Sequence, residues 1–103
     1  MRLHVREHQP YAWFLLDDLD GGGEDCWLDV NCDMGAVGFS VLVRLSDEER
    51  ARYRDAGRDY AGHLAAEISG APDRYRDRDL TRTLGSAVTE AVARFRQAGP
   101  DED

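Results

Sequence analysis

The strongest constraint in this chain is a change of period. Between residues 26 and 45 apolar and polar positions alternate, whereas beyond residue 46 apolar positions recur every three or four residues. Successive side chains of a strand point to opposite faces, so the first pattern describes half-buried strands and the second describes helices. In CWLDVNC, 26–32, Cys26, Leu28, Val30 and Cys32 share one face, and Trp27, Asp29 and Asn31 share the other. In AVGFSVLVRL, 36–45, Val37, Phe39, Val41, Val43 and Leu45 oppose Ala36, Gly38, Ser40, Leu42 and Arg44. YAWFLLD, 11–17, is apolar on both faces and reads as a central strand. RLHVRE, 2–7, alternates weakly, with Leu3 and Val5 on one side, and Pro10 interrupts any ladder beyond it.

The connections fit a meander. Asp33-Met34-Gly35-Ala36 reads as a turn that sets Cys32 opposite Val37, Val30 opposite Phe39, Leu28 opposite Val41 and Cys26 opposite Val43. Trp27 then pairs with Leu42. A one-residue slip would turn Asp29 and Asn31 into the core, so the pattern fixes the parity of the register. The same parity brings Tyr11, Trp13 and Leu15 alongside Cys32, Val30 and Leu28.

Ser46-Asp47-Glu48-Glu49 is a capping box. It opens a helix reaching Gly70, with a stripe of Tyr53, Ala56, Tyr60, Leu64 and Ile68, flanked by Ala61 and Ala65. Gly57 and Gly62 each weaken that helix by about 1 kcal/mol relative to Ala, or else permit close approach to the sheet. APDRYRDRDLTR follows as a loop whose Arg and Asp charges nearly cancel, which suits local ion pairs and not a nucleic-acid footprint. A second helix runs from about Leu80 to Ala98, with Leu84, Val88, Ala91, Val92 and Phe95 inward. Strands followed by helices predict an α+β fold: an antiparallel three- to four-stranded meander sheet with two C-terminal helices packed on one face. Residues 1–99 are expected to form one compact domain and 100–103 a disordered acidic tail.

The formal net charge of −8 and pI of about 4.7 repel nucleic acid and anionic membrane and favour basic partners. All 13 basic residues are arginine, so neither a Schiff-base lysine nor a P-loop lysine is available. That bias, with abundant Ala, Gly and Asp, suggests a high-GC bacterial source. No apolar run approaches the ~20 residues of a membrane span. MRLHVREHQPYAW lacks the apolar core of a secretory signal, and a cytoplasmic protein is the expectation.

Several stretches imitate chemistry. Cys26 and Cys32 lie six residues apart on one strand, so their Cα atoms are ~20 Å apart, too far for a disulfide or a shared metal. The acidic loop Asp17, Asp18, Asp20, Glu24 and Asp25 invites comparison with an EF-hand. Gly22 and Asp29 would then stand where that loop needs an oxygen ligand and a bidentate Glu, and the flanks are strands. His4-Val5-Arg6-Glu7-His8 matches H-x-x-E-H, but as a strand it holds its histidines ~13 Å apart. No nucleophile elbow, glycine-rich phosphate loop or C-x-x-C occurs. The reading therefore names no catalytic residue, no metal ligand and no cofactor.

With helices on one face, the other face of the sheet is left to solvent. It would present an apolar centre of Phe14, Leu16, Trp27 and Leu42, with Asp29, Asn31 and Asp33 around it, the anatomy of a protein-binding patch. The sequence thus predicts a small, acidic, non-enzymatic interaction protein, with an immunity- or antitoxin-like inhibitor of a basic partner as one example. One alternative is a small enzyme or ligand-binding subunit with a pocket between sheet and helices, where Tyr53, Tyr60, His63 and Tyr75 could converge. Another is a structural homodimer. Neither nucleic acid nor membrane is an expected partner.

Overall fold

The computed structural model describes residues 2–10, 12–21, 25–34 and 37–98. The tip of the acidic loop, with Glu24, and the tail 100–103 lie outside the described residues. Strands β1 (Leu3–Gln9), β2 (Trp13–Asp18), β3 (Cys26–Met34) and β4 (Val37–Arg44) form one antiparallel sheet in chain order. The α+β class and the meander predicted from the change of period are both present.

Pairing between β2 and β3 is as the pattern requires, with Trp13 opposite Val30 and Leu15 opposite Leu28. Between β3 and β4 it is displaced by two residues from the predicted alignment. Cys32 meets Phe39, Val30 meets Val41, Leu28 meets Val43, and Trp27 meets Arg44 instead of Leu42. Asp33 and Met34, expected in the turn, continue the ladder opposite Gly38 and Val37. A two-residue displacement leaves the described side chains of both strands on their predicted faces, because alternation encodes parity and not alignment.

Helices cover both faces of the sheet. α1 (Asp47–Ala56) and α2 (Arg58–Gly70) are followed by a 3-10 segment (Pro72–Arg78) and α3 (Thr81–Ala98). Cys26, Leu28, Val30 and Cys32 are buried with Tyr53 of α1 and with Ala61, Leu64, Ala65 and Ile68 of α2. Leu3, Val5, Leu16, Trp27 and Leu42 are buried on the other side with Val88 and Ala91 of α3. The expectation of two helices on one face is corrected: among the described residues four helical segments follow β4, and α3 lies against the opposite face. Burying an apolar side chain is worth about 1.5–3 kcal/mol. The Leu16–Trp27–Leu42 centre, joined by Leu3 and Val5, therefore recruits the amphipathic α3 from within the same chain.

The predicted single helix after Ser46 is two helices. Its capping box forms: the Glu49 N–H donates to Ser46 Oγ at 3.2 Å, and the Ser46 N–H donates to the Glu49 carboxylate at 2.8 Å. Gly57 then adopts φ +63°, ψ −137°, a conformation that L side chains rarely take, and breaks the axis between α1 and α2. The Arg/Asp-rich stretch expected as a loop winds into the 3-10 segment. Its last residue, Arg78, donates to both Glu49 carboxylate oxygens at 2.6 and 3.1 Å and to the Arg44 carbonyl at 2.9 Å.

A β-bulge decides where the ends of β1 point. Val5 pairs with Leu16, but Glu7 pairs with Leu15, so Arg6 is the extra residue and the parity of the strand reverses there. Glu7 consequently faces α1 and accepts the Tyr53 hydroxyl. Burial, reinforced by that bond, pushes the Tyr53 phenol up to about 12. His8 turns to the α3 side, where it stacks on Phe14 and meets the edge of Phe95.

Candidate functional site

Across the sheet's α3 side, apolar cover is complete at Leu16, Trp27 and Leu42 and incomplete at Asp29. In the ladders Asp29 lies between Phe14 of β2 and Leu42 of β4. α3 spans the sheet above it but leaves space on both sides. One cavity, of about 590 Å³, has Asp29, Ser40 and Leu42 as its floor, with Thr81, Ser86 and Thr89 among its walls. A second, of about 600 Å³, again includes Asp29 and Ser40 and adds Asn31, Phe14, Phe95 and Arg96, with His8 at its edge. Sharing Asp29 and Ser40, the two are the ends of one groove, hydroxyl-rich on one side and aromatic on the other.

Asp29 is the electrostatic centre of this groove. It is half-buried, and among the described residues no hydrogen bond reaches its carboxylate. Burial, followed by the negative charge of Asp79, pushes its carboxyl up to about 6. Asp79 itself stays in the opposite condition. Burial works against its charge, but the Leu42 N–H at 3.0 Å and the Thr81 hydroxyl and N–H at 2.6 and 3.0 Å prevail, holding its carboxyl below the usual range. Asp79 is thus a satisfied anion that leads into α3, and Asp29 is a half-buried carboxyl that takes no hydrogen bond from the described residues.

The aromatic end is built by contacts between elements. His8 stacks on Phe14 with ring centroids 5.6 Å apart, Phe95 meets His8 edge-on at 4.9 Å, and the Arg96 guanidinium stands 6.0 Å from the Phe14 ring. Such offset and edge-on arrangements follow the ring quadrupoles, and guanidinium over an aromatic ring is attractive.

The structure divides the predicted partner-binding residues. Leu16, Trp27 and Leu42 are in the interior at 0%, 4% and 1% exposure, so the open apolar patch expected from them is a core beneath α3. Phe14, Asp29 and Asn31, together with Leu42 on the floor, converge on the groove. Asp33 contributes a backbone pair with Gly38. The residues proposed for a pocket elsewhere are divided, with Tyr60 and Tyr75 packed against the α1–α2 core and Tyr53 engaged at β1. Tyr53 is tied to Glu7, the Tyr75 hydroxyl donates to Glu67 at 3.1 Å, and His63 is exposed beside that same Glu67 at 3.6 Å. Sequence reasoning missed His8, Phe95 and Arg96. Only an unexplained Asp29 on a strand face that also holds Trp27 hinted that this face was neither a plain core nor a plain surface.

The acidic loop is employed locally. Asp18 accepts the N–H groups of Arg2 and Asp20, both at 3.0 Å, Asp17 faces His4 at 3.2 Å, and Asp25 takes Arg44 at 2.7 Å. Among the described residues no group of three His, Cys, Asp or Glu side chains is placed to hold a metal ion. Cys26 and Cys32 are free and buried, and burial raises both thiols above their ordinary range. No helix among the described residues is long and apolar enough to cross a membrane. No family model, curated protein or solved structure matches the chain.

Proposed function

We propose that this chain is a small, non-enzymatic binding domain whose groove between the sheet and α3 receives a small molecule. The observation that carries this reading is Asp29: a half-buried carboxylate with no hydrogen-bond donor among the described residues, on the floor of a groove with an aromatic end. Leaving a polar group partly desolvated and unpaired is unfavourable, and a ligand that supplies the missing donor recovers that energy. An apolar cleft with a few convergent polar groups is the common form of a small-molecule site. The basic-partner reading has no comparable seat, because the apolar centre it relied on is occupied by α3.

A fragment screen by protein-observed NMR tests the proposal. Binding fragments should shift backbone signals of Asp29, Asn31, Ser40 and Phe95 together and raise the melting temperature. Hits that cluster away from α3, or no hits in a broad library, would overturn it.

A further inference from the structure

Building on the groove's role as a ligand seat, we infer that its occupant is an arylalkylamine: a protonated amine that bonds Asp29, joined by a short chain to an aromatic ring lying against Phe14 and Phe95. Three features lead to this chemistry. First, the floor offers a carboxylate that lacks a hydrogen-bond donor among the described residues, and Ser40 beside it adds a hydroxyl, a pairing suited to an ammonium with several N–H donors. An anionic group at that point would meet the like charge of Asp29 with Asp79 close by.

Second, the aromatic wall begins at the neighbouring position in the ladder. Phe14 is the direct cross-strand partner of Asp29. Opposed residues in an antiparallel pair hold their Cβ atoms ~5 Å apart, which matches the reach of a two-carbon linker between an amine and a ring. Third, the aromatic end has both a ring wall and a planar cation. Phe95 and His8 supply edges and faces, and exposed Arg96 beside Phe14 can fold over a ligand ring as it stands beside Phe14. The hydroxyls of Ser86 and Thr89 at the far end of the groove leave room for a polar substituent on the amine side.

The experiment titrates the full chain, at about pH 7.5 where Asp29 is ionised, with four probes: 2-phenylethylamine, its neutral isostere 2-phenylethanol, n-butylamine and phenylacetate. 2-Phenylethylamine should bind most tightly, shifting the Asp29 and Phe95 signals. Asp29→Asn should weaken it about tenfold or more, the loss of one charge-assisted bond, while leaving 2-phenylethanol nearly unchanged. Phe14→Leu should weaken 2-phenylethylamine but not n-butylamine. Asp29→Asn removes a poorly solvated charge, so it should fold at least as well as the native chain and give a clear result. Equal binding of 2-phenylethylamine by native protein and Asp29→Asn, or a preference for phenylacetate, would overturn the amine assignment. If 2-phenylethanol still mapped to the groove in that case, the groove itself would stand as a ligand site. If none of the four probes shifted groove signals, both would fall.

Discussion

A single strand separates Asp29 from Asp79. Leu42 pairs with Asp29 on one side of β4 and donates its N–H to Asp79 on the other, at 3.0 Å. One carboxylate is held by three donors and the other by none among the described residues. That asymmetry sets a pH dependence.

The Asp29 carboxyl lies at about 6 in the fold, against 3.8 ordinarily, so the folded chain holds this proton more tightly than the unfolded chain. Its contribution is most favourable at low pH and is lost as pH rises from 3.8 through 6. Glu90, His8 and Arg96 border the same groove, Asp79 acts on Asp29 through its charge, and all four are unchanged in Asp29→Asn. Asp29→Asn should therefore raise the melting temperature by about 5 °C or more near pH 8, and the gain should fade between pH 6 and pH 4. A gain independent of pH would show that the Asp29 charge is not its source.

Arg78 joins the 3-10 segment to the start of α1 through both oxygens of Glu49. Burial opposes the Glu49 charge, but Arg78 and the Ser46 N–H outweigh it and hold the carboxyl below its usual range. Arg78→Ala should cost about 1–2 kcal/mol in urea denaturation, the worth of a partly exposed charge-assisted pair. Since a depressed carboxyl stabilises above its unfolded value and ceases to do so as pH falls through its folded one, the gap should close in acid as pH falls from 4.5 through the lower folded value.

Two glycines should respond with opposite signs. Gly57 has φ +63° with nothing near an added Cβ, so Gly57→Ala suffers backbone strain alone and should lose about 1–2 kcal/mol. At Gly62 an added Cβ would meet only Trp13 Nε1 at 4.0 Å, an ordinary contact. Gly62→Ala should gain about 0.5–1 kcal/mol from helix propensity. Equal effects at the two sites would contradict the break between α1 and α2.

Trp27 tests the placement of α3. Enclosed beneath Val88 and Ala91, its loss in Trp27→Ala should cost about 3–5 kcal/mol and release α3, seen as early amide exchange in residues 84–95. A surface tryptophan would change stability little.

How much of this was legible from the chain can be read at particular residues. Alternation at 26–32 placed the thiols and Trp27 on opposite faces, and Ser46 with Glu49 marked the helix start; both are local patterns, carried by neighbouring residues and their backbone geometry. The exact pairing of β3 with β4 was not legible, because apolar side chains two residues apart are interchangeable to the face that buries them. The bulge at Arg6, which swings His8 toward Phe14, leaves no mark in composition. The positive φ of Gly57 was open to Gly62 as well. The sequence by itself determined the strands, the helix start after Ser46 and the parity of the faces of β3 and β4, since each follows from spacing along the chain. Only the tertiary structure decided that α3 crosses to the far side and roofs a groove over Asp29, because that choice is a competition between distant apolar surfaces for the same cover, and no local stretch contains both competitors.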